Sequence, residues 1–534
     1  MSFAIPKTLK TLNSLITESV LPVELNDTDV DRMVTSIMEL VVKQGRRSSS
    51  KTDLKAHDRY LDSLQVNESM HGFEGEDGRR ILDGWLRASV LHFERAGLRR
   101  SESKMGFLQP LTIASYRSGL PKLTSRHRRA DQLAYRSMLR HAESTGAGNP
   151  RAHVAKIFKE TFGAGVELGQ FPHTEPAYDG VTQVDITTLL SLRFLESFET
   201  NKNVKELVLS TTTPVPWASD PLGADLVDFL THFGPAMPVG ESFLHLSALL
   251  SLRLFQLPLV SGRAVRGLLE GDVEPPDGNP SDLYCDFVGR RGSESDELSR
   301  ACVRRDLQLM ATFFADRLLL RSVGQAVELL PQLRPAAADG WEYLVELGRL
   351  TSTPEVEMAL GMQIQAISAE LGEDDREYLR ELREARLSNS EQLATLLVEG
   401  LRKRGLENQI KWFWSTGGIN KPYGVLAGTL KARTTWRYAP TDECLTALLC
   451  MSFLDGPSRV RREMPVQELL RVLRRRFGLL IDVPPAEFDS ADARSGAAEN
   501  LTAFTRRLQL LGCYEGLSDD FDAQVVKLPR EVRT

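Results

Sequence analysis

Three constellations in the 534-residue chain have the residue types of a reaction centre. Asp83 with Glu102, Ser103 and Lys104 matches the composition of a metal-dependent nuclease, where carboxylates hold the metal and a lysine steadies the attacking water. That chemistry wants neighbouring strands, yet ILDGWLRASVLHFERAG around Asp83 has a helical pattern, which favours ordinary surface charge. Arg136 and His141 share the arginine and histidine spacing of a helical ribonuclease family. With 66 Lys and Arg and nine His in the chain, such a spacing arises readily by chance. The glycine-rich STGGINKPYG (415–424) lacks the GK[ST] ending that aims a lysine at phosphates and a hydroxyl at magnesium, so it reads as a loop. No Walker A motif, GxSxG elbow or Rossmann fingerprint is present, and no cofactor is expected.

Cysteine and histidine narrow the chemistry further. The five cysteines, at 285, 302, 444, 450 and 513, are odd in number, widely spread and without CxxC spacing, which predicts reduced, buried, structural thiols. All nine histidines fall between His57 and His245, so the carboxy-terminal half can build neither a histidine-based triad nor a zinc site of its own. No HExxH motif occurs, and no metal is expected.

Charge is segregated along the chain. The net charge is −6, yet Arg95 to Arg140 holds eleven Lys or Arg against Glu102 and Asp131, and Arg402 to Arg437 holds eight against Glu407. An acidic body with two basic segments can hold a phosphate backbone locally and repel it elsewhere. The second segment interleaves Trp412, Phe413, Trp414, Tyr423, Trp436 and Tyr438, rings able to stack on bases. The candidate nucleic-acid contacts are therefore Arg126, Arg128 and Arg129 in the first segment, and Arg402, Lys403, Arg404, Lys411, Trp412 and Trp414 in the second. The alternative is that the aromatics are core and the cations are solvated or pair with the acidic body.

The elements that must position these residues are mostly helical. Apolar residues recur at intervals of three and four from end to end, and strand-like alternation is scarce. Thr353 to Leu371 shows the pattern: a capping Thr353, Pro354 in the first turn, and a stripe of Val356, Leu360, Ile364, Ile367 and Leu371. Ser293 is placed to cap another helix, with Asp296 three residues on and Leu298, Cys302, Leu309 and Phe313 along one side. Turn-formers at TGAGNP (145–150) and GDVEPPDGNPSD (271–282), and a break near Ala439 and Pro440, divide the chain into expected domains at 1–150, 151–275, 283–438 and 440–534. The most apolar stretch, Phe243 to Val260, is interrupted by His245, Arg253, Gln256 and Pro258, so no membrane span is expected. MSFAIPKTLKTLNSLI lacks a secretory apolar core, which points to a cytoplasmic protein.

The last hundred residues change character. Thr441 to Leu454, Pro465 to Phe477 and Asn500 to Leu511, the last extendable back to Ala497, read as three helices, with Arg506 and Arg507 facing outward. GCYEGLS and AQVVKLP then read as two strands around Asp519, Asp520 and Asp522. This is winged-helix order, in which the third helix ordinarily enters the major groove. The acidic turn would be repelled by phosphate, so Arg506 and Arg507 are the expected contacts there.

The runs LQPLTIASYRSGLPKLTSRHRRADQLAYRSM (108–138), WRYAPTDECLTALL (436–449) and the ending LQLLGCYEGLSDDFDAQVVKLP resemble accessory subunits of multigene bacterial anti-phage clusters of the methylation-associated type. The resemblance implies a role beside partner enzymes such as a methyltransferase, nuclease or ATPase, and carries over no site residues. The expectation is thus a mainly α, multidomain, non-enzymatic DNA-binding and scaffold subunit of a defence complex, with a winged-helix-like carboxy-terminal domain. A cryptic metal-dependent nuclease and a purely protein-binding adaptor are the alternatives.

Overall fold

The computed structural model describes residues 16–48, 56–66, 71–85, 112–116, 127–169, 177–184, 214–370, 373–401, 405–456, 459–515 and 524–529, with the short pieces 91–93, 105–107, 188–189, 192 and 204–206. The architecture is mainly α. The amino-terminal helices are α1 (Val30–Val42), α2 (Ala56–Gln65), α3 (Gly75–Trp85), α4 (Ala130–Ser144) and α5 (Pro150–Phe162). The middle holds α6 (Pro216–His232), α7 (Val239–Glu270), α8 (Glu294–Glu328), α9 (Gly340–Leu350), α10 (Pro354–Glu370), α11 (Glu373–Glu384), α12 (Asn389–Leu401) and α13 (Leu406–Thr416). The chain continues through α14 (Asp442–Ser452), α15 (Val466–Phe477) and α16 (Ala491–Leu510).

Strands are short. The pairs are β1 (Arg46–Ser48) with β6 (Val204–Glu206), β2 (Leu91–Phe93) with β3 (Met105–Phe107), and β4 (Val166–Glu167) with β5 (Ala177–Tyr178), all antiparallel. In addition, β7 (Leu283–Tyr284) runs parallel to β11 (Leu479–Leu480), and β8 (Leu426–Thr429) and β9 (Ala432–Tyr438) form a bulged hairpin. The largest sheet among the described residues has three strands: β13 (Val525–Lys527) lies between β10 (Glu463–Pro465) and β12 (Tyr514–Glu515).

Helix α7 is the axis. Its 32 residues are long and apolar enough to cross a membrane by length and composition, but its most apolar stretch is almost wholly buried by the protein itself. It packs on α1, α6, α8, α13 and α14. A helix enclosed on every face must satisfy its polar groups internally. Ser247 donates to the Phe243 carbonyl, Arg253 pairs with Asp225 at 2.7 Å, and Gln256 donates to Ser281 Oγ at 2.9 Å and to the Phe477 carbonyl. Pro258 has no N–H to give the Leu254 carbonyl one turn back. The indole Nε1 of Trp412 donates to that carbonyl instead, at 3.1 Å.

Helix α8 is the second axis, 35 residues long, with Ser293 accepting from the Asp296 N–H as its spacing predicts. Leu298, Cys302 and Phe313 are buried along it, and it carries α9, α10, α12, α16 and β9. Val356, Leu360, Ile364 and Ile367 bury the inner face of α10, as the stripe predicts. All five cysteines are free and buried, and burial pushes Cys302 and Cys444 up to about 12, which makes them poor nucleophiles at neutral pH.

The stretch expected as a linker, 271–282, ends in fixed contacts. The Asn279 N–H donates to the Arg475 carbonyl and Asn279 Nδ2 to Gln256 Oε1, tying it to both α15 and α7. In the carboxy-terminal part, α16 starts earlier than the apolar pattern suggests, because Ser490 caps it through the Ala493 N–H. Strand β10 was not expected; its register with β13 runs from Glu463 opposite Lys527 to Pro465 opposite Val525. Cys513 immediately precedes β12, and the turn with Asp519, Asp520 and Asp522 lies outside the described residues.

One core charge has no acidic partner among the described residues. Arg317 is 3% exposed, and its Nε and Nη1 make no hydrogen bond; it lies over the rings of Phe313 and Phe314 at 5.1 and 5.9 Å. Burial, reinforced by Arg321, pushes its pKa down to about 9. Replacing a poorly compensated buried ion with an apolar residue of similar volume commonly stabilises by about 1 to 4 kcal/mol. Arg317→Met is expected to raise the thermal unfolding midpoint; a lower midpoint would show that the ring contacts outweigh the desolvation cost.

Candidate nucleic-acid interface and the adjoining cleft

Those of the expected nucleic-acid contacts that fall among the described residues are spread over separate elements. Arg126, Arg402, Lys403 and Arg404 lie outside the described residues. Arg128 pairs with Glu24 at 3.0 Å and Asp27 at 3.3 Å, and Arg129 with Glu18 at 2.5 Å, so both clamp the segment before α1 onto the start of α4. Lys411 is exposed and donates to Asn408 Oδ1. Arg506 is exposed on α16, whereas Arg507 pairs with Asp442 at 2.5 Å.

The expectation that Trp412 stacks on bases is corrected. Trp412 is fully buried, because the carbonyl that Pro258 orphans needs its indole N–H. Phe413, Trp436, Tyr423 and Tyr438 are buried too, with Tyr438 donating to Asp306 Oδ2 at 2.7 Å. Trp414 is half-buried in a crevice lined by Asp27, Asp29 and Lys421, where the two carboxylates disfavour phosphate.

Asp83 lies on α3, while Glu102 and Lys104 are outside the described residues. Arg136 and His141 are both on α4, but five residues of helix turn them well apart, and only His141 reaches the cleft described below.

Two basic surfaces do emerge. On α15, Arg471, Arg474 and Arg475 stand on one face and are all exposed, at i, i+3 and i+4. The run RVLRRRF (471–477) signals them in sequence, but lies outside the two segments of highest local charge. The second surface is the β8–β9 hairpin tip, where Lys431, Arg433 and Thr434 are exposed. The tip is rigidly based: Trp436 Nε1 donates to the Thr429 carbonyl at 3.0 Å, and the Thr429 N–H to Thr435 Oγ1 at 2.9 Å.

Beside α15 opens a cleft of about 940 Å³ between the carboxy-terminal half of α4, the amino-terminal half of α6, residues 276–279 and the end of α15. Its floor is a fixed charge network. Asp225 is bound by Arg253 at 2.7 Å and by Arg476 at 2.8 Å, and Arg476 also donates to the Met451 carbonyl. Burial alone would raise the Asp225 pKa; the two guanidiniums overcome it and hold the carboxyl below the usual carboxylate range. On the wall, His141 Nε2 lies 3.2 Å from Asp228 Oδ1, and Arg140 pairs with Asp220. Arg475 and Arg476 close the last turn of α15, where positive charge opposes the negative helix end.

With this geometry in hand, the chain can be placed among known proteins. A family model described as "Methylation-associated defense system protein MAD7" matches residues 10–530. The chain belongs to that family. Membership gives this MAD7-family chain a role in a methylation-associated defence system, in agreement with the resemblance read from its sequence. No curated protein matches it significantly.

Two outcomes test the structural assignments. Trp412→Phe strips the Leu254 carbonyl of its donor and is expected to cost about 1 to 3 kcal/mol, leaving any DNA affinity unchanged. Asp225→Asn leaves Arg253 without its counter-charge and Arg476 with only the longer contact to Asp228 at 3.6 Å, and is expected to cost about 3 to 5 kcal/mol. Because the folded pKa of Asp225 is depressed, the wild-type advantage is present above the unfolded aspartate value and disappears as pH falls through the folded one. Urea unfolding across pH reads both.

Proposed function

We propose that this protein is a non-enzymatic DNA-binding and scaffold subunit of its defence assembly, and that residues 440–534 form a winged-helix-like unit. The element order supports the second part: α14, β10, α15, α16, β12, β13, with β13 central in the sheet, follows the order expected of a winged helix.

The observation that carries DNA binding is the arginine face of α15. The third helix of such a unit would ordinarily read the major groove. Here the first half of α16 is packed against the body: a Cβ at Gly496 would come within 2.7 Å of Glu294 Cβ, and Glu499 is paired with Arg290. Backbone contact by Arg471, Arg474 and Arg475 fits this geometry better than base reading. The scaffold part is favoured by α10, which exposes Met358 at 64% and Met362 at 59% one turn apart, opposite its buried stripe.

The test is fluorescence anisotropy with a duplex across a salt series. Charge reversal in Arg471→Glu/Arg474→Glu is expected to weaken binding and to reduce the salt slope by about 2, near 0.9 per lost phosphate contact. An unchanged affinity and slope would replace this reading with the protein-binding adaptor. Metal-dependent cleavage in the same reactions, abolished by Glu102→Ala and by Lys104→Ala, would replace it with the nuclease.

A further inference from the structure

The cleft beside α15 joins three kinds of wall. One is apolar, with Trp217, Pro221, Ala224 and Leu454 along it. Another is rich in hydrogen-bond acceptors. Asp220 and Asp228 face the cleft, and Pro221 in α6 has no N–H for the Trp217 carbonyl, which therefore lacks its intrahelical donor. The third is the cationic rim, where Arg475 pairs with Asp277 at 2.9 Å with both side chains exposed, at 75% and 87%.

The arginines differ in what holds them. Arg253 and Arg476 are both fixed on the buried Asp225 carboxylate, and either would give up a buried ion pair to turn to a ligand. Exposed pairs contribute little, so Arg475 can exchange Asp277 for another anion at small cost. Behind the wall, the Ser137 hydroxyl and the Trp217 indole N–H are buried from solvent and have no hydrogen-bond partner among the described residues.

An apolar wall, acceptors suited to exocyclic amines and one exchangeable arginine at the mouth are what a nucleotide requires of its pocket. The volume suffices, since small-molecule sites span roughly 300 to 1,000 Å³. A bare phosphate would compete with Asp277 for Arg475 and face Asp220 and Asp228 across the cleft, gaining little, whereas a base can use the carboxylates.

We propose that this cleft binds a single nucleotide, its base against the Trp217 and Ala224 wall beside Asp220 and its phosphate on Arg475. No step of hydrolysis is included; the occupant is a ligand. The site would escape motif reading because its parts come from α4, α6, the 276–279 turn and α15, far apart in the chain.

Isothermal titration of the full-length protein, without DNA, tests this with ribo- and deoxyribonucleoside monophosphates and triphosphates, the matching nucleosides, and inorganic phosphate. At least one nucleotide should bind about tenfold or more tightly than its nucleoside, with phosphate alone binding weakly. Arg475→Ala should remove the advantage over the nucleoside. Ala224→Phe, which fills the cleft from an element that stays folded as judged by an unchanged unfolding midpoint, should abolish binding of both. No binding by any nucleotide at millimolar concentration overturns the proposal. So does binding indifferent to Arg475→Ala and Ala224→Phe. The DNA reading is scored separately through Arg471 and Arg474, so either can fail without the other.

Discussion

The burial of α7 on all sides is the constraint from which the rest of the arrangement follows. An enclosed helix cannot lend its polar groups to water, so each one fixes a neighbour. Pro258 requires a donor for Leu254, which brings in Trp412 and with it α13. Arg253 requires a carboxylate, which brings in Asp225 of α6, and Asp225 in turn takes up Arg476 of α15. Gln256 requires acceptors, which hold the 276–284 stretch and the end of α15 in place. Apolar contact supplies most of the stabilisation. The directional groups decide which surfaces meet, because an unmet buried partner costs more than a met one gains.

That network explains why the cleft exists where it does. Three segments distant in sequence converge on Asp225, and their surfaces diverge above it, leaving a walled space with a rigid floor. The same helix, α15, closes the cleft with Arg475 and Arg476 and turns Arg471 and Arg474 to solvent. The basic surface and the cleft therefore adjoin on one short rigid element, meeting at Arg475, and such an element is a stronger positioning device than a loop would be.

Much of the fold was legible in the sequence where a local rule sufficed. The Ser293 cap, the α10 stripe and the buried cysteines follow from spacing and residue type alone. The strand-like ending after Leu511 was legible for the same reason, while β10 was not, since EMP carries no alternation and becomes a strand only through its partner β13. The candidate site was read less well. Trp412 sits in a basic, aromatic run whose composition suits nucleic acid, yet its orientation is dictated by a proline more than 150 positions earlier, an interaction no local window contains. Arg128 and Arg129 read as candidate nucleic-acid contacts because their acidic partners, Glu18, Glu24 and Asp27, lie before α1. Local charge density pointed to 95–140 and 402–437, whereas the exposed cations on a rigid face belong to α15, where Glu468 and the apolar helix residues dilute the count.

Asn500 has a consequence for how the molecule is made. Its side-chain amide donates to the carbonyls of Cys285 and Ile481, and its oxygen accepts from the Phe287 N–H, contacts that span up to 215 positions. The closures of Asp225 by Arg476 and of Gln256 by Phe477 span 251 and 221. A ribosome delivering residues in order at about 5 to 20 per second would present α7 many seconds before the segment that completes its polar shell. During that interval a long, strongly apolar helix is waiting, with a guanidinium and an amide still incompletely satisfied. Folding of the centre is thus gated by the arrival of the end, and a chain released before residue 476 would be a substrate for chaperones or proteases rather than a smaller version of the protein.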